Sequence, residues 1–204
     1  MNRNLIEASD VLAFDDSGFP VVSFYLFVRG FNGTHEEFLG ELGLTTYRRA
    51  CEAEERESFI FVVRKGDWIG VLENWGMRLQ FCNELRSRTE DLGTRYPVVT
   101  AWVGDCNHTF GFRHFDGGGL RRALAQGDPS RGDSPVEEDV GVTLAFEGHF
   151  KNFADEAERL PFVASQFEVP SDWKDSDIMS YTRPGLIAEL KNRFGDVWRR
   201  MRGP

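Results

Sequence analysis

The segment from Phe19 to Phe31 constrains the fold of this chain most strongly, because it is apolar on both of its faces. Successive side chains of an extended strand point to opposite faces of a sheet. One face carries Val22, Phe24, Leu26 and Val28, and the other carries Val21, Tyr25 and Phe27. Strands with two apolar faces are buried on both sides. The segment therefore predicts a central strand of a sheet that has further layers packed against both faces.

Two hairpins extend this predicted sheet. Their strands are Ser58–Val63, Trp68–Leu72, Tyr96–Val103 and Thr109–Phe115. A polar turn that contains glycine separates the two strands of each hairpin. Between the hairpins, Met77, Phe81 and Leu85 recur every fourth residue, which predicts a helix over Met77–Leu92. The segment Leu120–Leu124 fits a short strand or the start of a helix.

Other helices are predicted from capping signals and periodicity. Thr34, with Glu37 three residues later, forms a capping box, which predicts a helix over Thr34–Leu42. A second helix is predicted over Thr45–Arg56, although the acidic residues near its end oppose the helix dipole. The later segments are predicted as a strand over Val142–Phe146, a helix over Asn152–Phe167 that contains Pro161, and a helix over Leu186–Met201.

A polar stretch rich in Gly and Pro, from Gln126 to Glu138, predicts a linker or long loop. It divides the chain into an α+β body over residues 1–126, a linker over 127–138 and a mainly helical C-terminal part over 139–204, which packs on the body. The predicted fold class is α+β, with an antiparallel sheet of about five to seven strands flanked by helices and a helical C-terminal part.

The net charge of −9 over 204 residues indicates the class of partner. Nucleic acid and anionic membranes carry charge of the same sign, so the charge argues against both and favours a basic protein partner. No apolar run reaches the roughly 18 residues that a membrane span needs. The first ten residues lack the apolar core of a signal peptide, and the three cysteines cannot all pair within one chain. These features predict a cytoplasmic protein with reduced thiols.

No common catalytic or nucleotide-binding motif occurs in the sequence: there is no GxGxxG after a strand, and no GxxxxGK[ST], HExxH or GxSxG. One candidate pocket comprises Glu73, Trp75, Trp102, His108 and His114. A carboxylate close to tryptophan can have a raised pKa and act as a general acid. Aromatic walls with few polar groups suit a small molecule. The alternative hypothesis is therefore a small-molecule enzyme with a pocket around Glu73 and His114.

The densest group of potential zinc ligands surrounds the turn of the second hairpin. It consists of Asp105, Cys106, His108, His114 and Asp116. Their spacing matches no common zinc motif, and the sequence has no CxxC, so a turn with a half-buried histidine is the favoured interpretation. Cys82 lies near the apolar face of a predicted helix, where a packing role is more common than a catalytic one. Neither a metal nor a cofactor is predicted.

Acidic residues are concentrated in two segments. Residues 35–57 hold seven acidic and three basic residues, for a net charge of −4, and residues 133–159 hold eight and two, for −6. The predicted C-terminal helix together with the adjoining Arg202 is basic, at +3. Acidic segments either keep a surface soluble or steer a basic partner, as inhibitors of nucleases do. The candidate partner-binding residues are Glu52, Glu54, Glu55, Glu137, Glu138 and Asp139.

A W-x4-E strand (Trp68 to Glu73), a following helix and a hairpin that contains Trp102 occur in succession. In this pattern about half of the chain resembles small uncharacterised bacterial domains of the immunity-protein type. The segments Phe162–Ala164 and Pro170–Trp173 are similar to the helix and the short tryptophan segment that close such domains. The resemblance implies a protein that neutralises a toxin by occluding its active site through acidic and aromatic residues. It transfers no catalytic residue.

Overall fold

The structure, a computed structural model, describes residues 12–50, 59–73, 79, 83–104, 109–127, 136–153 and 155–183. The strands are β1 Phe24–Arg29, β2 Arg48–Arg49, β3 Phe59–Lys65, β4 Trp68–Glu73, β5 Pro97–Gly104, β6 Thr109–Asp116, β7 Leu120–Gln126, β8 Val136–Gly141 and β9 Asp177–Thr182. The α-helices are α1 His35–Glu41, α2 Asn83–Gly93 and α3 Arg159–Gln166, and 3₁₀ helices cover Ala145–Asn152 and Glu156–Glu158.

In the described part of the chain, nine strands form one sheet in the order β2-β9-β3-β4-β1-β5-β6-β7-β8. Every pairing between neighbours is antiparallel. The predicted antiparallel sheet with helices is therefore confirmed, but the predicted number of five to seven strands is too low. The sheet exceeds that number because β2 and β8 lie in segments predicted as a helix and a linker, and no element was predicted over β9.

The central strand is buried on both faces, as its sequence predicts. Every side chain of β1 from Phe24 to Val28 is buried. One face of the sheet packs against α1 and α2 through buried apolar residues such as Phe38 and Leu92. The other face packs against α3, the longer 3₁₀ helix and the segment around Trp173. The fold is thus a sheet between two layers, and each layer removes apolar surface from water.

Gly70 of β4 shows how closely the central strands pack. A Cβ atom at this position would collide with the ring of Phe27, which lies opposite Gly70 on β1. The Phe27 ring occupies the space that the missing side chain leaves and stacks on Trp173, with 5.0 Å between ring centroids. Glycine at this position is therefore required by packing rather than by backbone conformation.

Several local predictions are confirmed. The Glu37 amide donates to Thr34 Oγ1 and the Thr34 amide donates to Glu37 Oε2, which completes the capping box of α1. Gly43 follows the helix with a positive φ of 73°, as a C-terminal stop requires. Both hairpins form, and residues 59–116 have the predicted order of strand, strand, helix, strand and strand.

The predicted helix over Thr45–Arg56 is wrong in its described part. Arg48 and Arg49 form a short strand instead, paired with Thr182 and Tyr181 of β9. Pairing with a strand distant in sequence overrides the local helical signal, which the acidic C-terminal end already weakened. Residues 51–56 lie outside the described part of the chain.

Two predictions after the linker also need correction. Residues 142–144 have no regular structure and Ala145–Asn152 is a 3₁₀ helix, so the predicted strand over Val142–Phe146 does not form. The predicted helix over Asn152–Phe167 is limited to α3, Arg159–Gln166. Pro161 lies in the first turn of α3, where its missing N–H leaves no helical hydrogen bond unmade.

The part of the chain from residue 139 onward shares the sheet and the core of the body. Strand β8 pairs with β7, and β9 lies between β2 and β3. This part therefore contributes strands as well as the predicted helical segments, and its buried residues Leu160 and Val163 pack in the same cluster as Tyr25 and Phe27. The predicted helix over Leu186–Met201 lies outside the described residues. None of the helices in the described ranges is long and apolar enough to cross a membrane.

Trp173 provides a test of the layer that covers the α3 face of the sheet. It is fully buried, and its Nε1 donates to the Pro170 carbonyl at 2.6 Å. Trp173→Ala is expected to lower the free energy of unfolding by about 3–5 kcal/mol, because it leaves a large cavity against Phe27. Urea denaturation measures the change. Lys174→Ala, at the exposed neighbouring position, is the control and should shift stability by less than about 0.5 kcal/mol. Equal effects of the two variants would contradict the packing described.

Candidate functional site

The predicted acidic residues that the structure describes lie on β8, the last strand of the sheet. They are Glu137, Glu138 and Asp139, and Glu52, Glu54 and Glu55 lie outside the described residues. Among the described residues, β8 pairs with β7 alone. Neighbouring side chains of a strand point to opposite faces, so the three carboxylates do not form one continuous patch. Each of them has a different environment.

Glu138 is held on the α2 face of the sheet by two arginines. Arg113 Nη2 and Nε donate to Glu138 Oε2 at 2.7 and 3.1 Å, and Arg86 of α2 donates to Oε1 at 3.3 Å. The guanidinium of Arg113 also lies over the Trp102 ring, 5.4 Å from its centroid. Glu138 is therefore neutralised within the protein, and Trp102 belongs to the same cluster.

Asp139 lies on the opposite face and pairs with the buried Arg122. The Arg122 side chain donates to Asp139 Oδ1 at 2.5 Å and to both carboxylate oxygens of Glu147 at 2.7 and 2.6 Å. It also donates to the Val140 carbonyl at 3.1 Å. These hydrogen bonds, chiefly those to Glu147, raise the pKa of Arg122 despite the opposing effect of burial. Asp139 remains half exposed, at 57 % of its side chain, and can accept a second donor.

Glu137 is the exposed carboxylate of this strand, and no ion pair of its own is recorded among the described residues. It stands at a bulge, because the register between β7 and β8 shifts between Ala125 and Gln126. A bulge turns side chains away from the regular alternation of a strand. The acidic character that β8 presents to solvent therefore comes from Glu137 and from the exposed part of Asp139.

Exposed large apolar side chains lie on the same strand as these carboxylates or close to it. In the described part of the chain five such side chains are exposed, and four of them lie on β7, on β8 or directly after it: Leu120, Val136, Val140 and Val142. Val136, Val140 and Val142 are 58 %, 48 % and 82 % exposed. Scattered exposed apolar residues are ordinary, but a group at one edge indicates a contact surface. We call the group formed by Leu120, Val136, Val140, Val142, Glu137 and Asp139 the β8 edge.

Glu73, the proposed general acid, lies at the end of β4 and is almost fully buried. Its Oε2 accepts from the Leu79 amide at 2.9 Å, and its carbonyl accepts from the Ser23 amide at 3.0 Å. The carboxylate thus holds the chain that follows β4 against the sheet. This arrangement is the loop-binding role that a glutamate at a strand end commonly has.

His114 lies on the other face of the sheet. It is opposite Val99 of β5 and stacks on Phe167, with 4.2 Å between ring centroids. Burial lowers the pKa of His114, and nearby Asp116 opposes this effect. Glu73, in contrast, is opposite Phe24, whose side chain packs on the α1 and α2 face.

The structure therefore does not bring Glu73 and His114 into one pocket. Trp102 shares the face of Glu73, with Phe24 between them on the intervening strand. Trp75 and His108 lie outside the described residues, as do Asp105 and Cys106 of the potential zinc group. Within the ranges described, no three His, Cys, Asp or Glu side chains form a group that could hold a metal ion.

Sequence reasoning missed the arginines that organise β8. Arg121 and Arg122 are adjacent in the sequence, yet Arg121 is exposed and pairs with Asp116, whereas Arg122 is almost fully buried. Alternation along a strand shows that one of two adjacent arginines must face inward. It does not show that Glu147 and Asp139 lie beside the buried arginine and supply the negative charge that makes its burial possible.

Comparison of the chain with family models, with curated proteins and with solved structures found no match.

Arg122 tests whether β8 depends on buried ion pairs. Arg122→Met keeps an apolar stem but leaves the buried Glu147 carboxylate without its cation, so the free energy of unfolding should fall by about 3–5 kcal/mol. Arg121→Met is the matched control. Its ion pair with Asp116 is exposed, so its loss should be about 0–1 kcal/mol. Urea denaturation of both variants checks this prediction, and similar losses would contradict it.

The lowered pKa of His114 predicts that the stability of the protein depends on pH. Its pKa is lowered in the folded state, so below about pH 6.5 the unfolded chain binds the proton more readily and stability falls with decreasing pH. His114→Phe should reduce the fall in melting temperature between about pH 7.5 and about pH 5.5. Thr143→Ala, at an exposed position without a titratable side chain, should leave the fall as large as in the parent protein. An unchanged pH profile for His114→Phe would contradict the burial of this ring.

Proposed function

We propose that this chain is a non-enzymatic binding protein that recognises a basic protein partner, and that it acts as a cytoplasmic immunity protein that occludes the active site of a bacterial toxin. The observation that carries the proposal is the β8 edge, where exposed valines lie on the same short segment as carboxylates that remain accessible. Apolar residues next to charges of one sign are typical of a surface that binds a partner of opposite charge.

The accessible charge supports a basic partner specifically. Glu137 and the exposed part of Asp139 face solvent, whereas the nearby cations Arg122 and Arg113 are occupied by carboxylates of the protein itself. A partner with Lys or Arg would find accessible carboxylate oxygens here, and an acidic partner would be repelled. Such complementarity raises the rate of association and selects the partner.

The structure changes the expected chemistry of the contact. Aromatic residues were expected to act as anchors, but the aromatic residues nearest to β8 are packed within the protein. Phe112, Phe146 and Phe150 contact one another under β6, and Trp102 lies beneath Arg113. Among the described residues, the apolar part of the proposed contact therefore comes from the valines and Leu120.

The toxin as partner is supported by the sequence resemblance and by the chemistry of such targets. Enzymes that act on nucleic acids carry Lys and Arg at their active sites to hold phosphates. An acidic inhibitor that covers those cations competes with the substrate for the same charges. The alternative, a small-molecule enzyme, gains no support from Glu73 and His114, because they lie on opposite faces of the sheet.

The test is binding to the product of the neighbouring gene. The two proteins are co-purified at low salt, and the dissociation constant is then measured by calorimetry between about 50 mM and about 300 mM salt. We expect a tight complex that weakens by at least about tenfold over this range, because exposed charges are screened. Absence of a complex at low salt would overturn the proposal for that partner.

A charge reversal locates the contact. Glu137→Lys should weaken the complex by about tenfold or more, because it replaces attraction by repulsion at the β8 edge. Asp16→Lys is the matched control, since it makes the same change of charge at another exposed position. It should leave affinity within about twofold. Equal effects of the two variants would show that net charge, rather than the β8 edge, drives binding.

A further inference from the structure

We infer that the β8 edge binds its partner by strand addition: an extended segment of the partner, in which Lys or Arg alternates with apolar residues, pairs with β8 and continues the sheet. This inference rests on the proposed function and specifies how the partner is held. Peptides that add a strand to a sheet gain affinity from main-chain hydrogen bonds and specificity from alternate side chains.

The backbone of β8 provides the first argument. Among the residues described, β8 is the end of the sheet and pairs only on the side of β7. The pairing is regular from Glu138 to Gly141, opposite residues 122–125 of β7. A regular strand with one unpaired side presents backbone donors and acceptors to another strand. Proteins commonly block such edges with Lys or Pro, and the regular part of β8 contains neither. Its two inward-pointing carboxylates, Glu138 and Asp139, are paired with Arg113 and Arg122, so they do not stand unpaired along the open side.

Strand β8 is held rigidly by its contacts within the protein, which also favours strand addition. Glu138 is held by Arg113 on one face, and Asp139 is held by Arg122 on the other, so ion pairs fix β8 from both sides. Gly141 then takes a φ of +88° at the end of the strand, where a Cβ atom would collide with the Arg121 carbonyl. A strand held in its paired conformation loses little further entropy when a partner binds.

The side chains define the occupant. Asp139 and Val140 are neighbours and therefore point to opposite faces of the sheet. Residues that lie opposite each other on paired strands share a face, so a strand added to β8 places one side chain beside Asp139 and the next beside Val140. A cation suits the first position, because the Asp139 carboxylate is 57 % exposed, and an apolar side chain suits the second. A partner strand in which cationic and apolar side chains alternate therefore suits both positions.

The same charges disfavour a second copy of this chain as the occupant. An antiparallel pair of β8 strands centred on residues 137–139 would place carboxylates opposite carboxylates. Like charges directly opposite on paired strands are destabilising. The acidic residues thus act selectively, because they oppose self-association at the edge and favour a basic strand.

A synthetic peptide tests the mode of binding directly. The probe has about ten residues of alternating valine and lysine, and its affinity for the full chain is measured by fluorescence anisotropy at low salt. Two further versions carry N-methyl groups on alternate amides, one version for each edge of the peptide. We expect the unmodified peptide to bind and one methylated version to lose at least about tenfold in affinity, because an added strand uses the hydrogen-bonding groups of one edge only. The other version should bind as the unmodified peptide does.

The protein itself supplies the second readout. Peptide binding should slow the hydrogen exchange of alternate amides within residues 136–141, while amides of β2 at the other end of the sheet stay unchanged. Glu137→Lys should weaken peptide binding by about tenfold, and the control Asp16→Lys should leave it unchanged. A peptide of alternating valine and glutamate should not bind.

The outcomes separate this inference from the proposed function. Equal affinities of the two methylated versions would overturn strand addition, as would failure of the unmodified peptide to bind at about millimolar concentration. A dimer of the free protein that Glu137→Lys alters would assign the edge to a second copy and would also overturn it. A complex with the product of the neighbouring gene that survives any of these results would leave the proposed function intact and remove only strand addition.

Discussion

Burial of the central strands on both faces is the constraint on which the rest of this structure depends. Because β1 exposes neither face, each side needs a covering layer, and distant parts of the chain supply the two layers. The hydroxyl of Tyr25 donates to the Leu160 carbonyl at 3.0 Å, and Phe27 stacks on Trp173. These contacts bind the α3 layer to the central strand of the sheet, so the C-terminal elements are part of the core.

Local signals in the sequence were sufficient to predict the elements whose conformation depends mainly on neighbouring residues. The double apolar pattern of β1, the capping box at Thr34 and the two hairpins all follow from residues close to one another in the chain. Strands β2, β8 and β9 could not be predicted in this way. Arg48 and Arg49 are extended only because β9 offers them a partner, and β8 is an exposed acidic strand without apolar alternation. Their conformations are decided by pairing across long distances in sequence.

The candidate site could also be predicted only in part, because its ion pairs depend on pairing between strands. The acidic segment drew attention to Glu137, Glu138 and Asp139, and the structure places all three on one edge strand. The sequence does not show that Arg113 and Arg122 neutralise two of them, since ion pairs between strands depend on register. The proposed Glu73 and His114 pocket fails because register also decides the face: the residues opposite them, Phe24 and Val99, point to opposite sides of β1 and β5.

The position of β9 has a consequence for how the protein is made. Residues 177–182 lie within the sheet, between β2 and β3, although they follow most of the other strands in the chain. A nascent chain that has not yet emerged past residue 182 leaves β3 as an open, apolar edge. Contacts between residues so far apart in the sequence form slowly, and a strand edge that stays exposed in the meantime favours aggregation. Emergence of residues 177–182 is therefore the step that protects this half of the sheet.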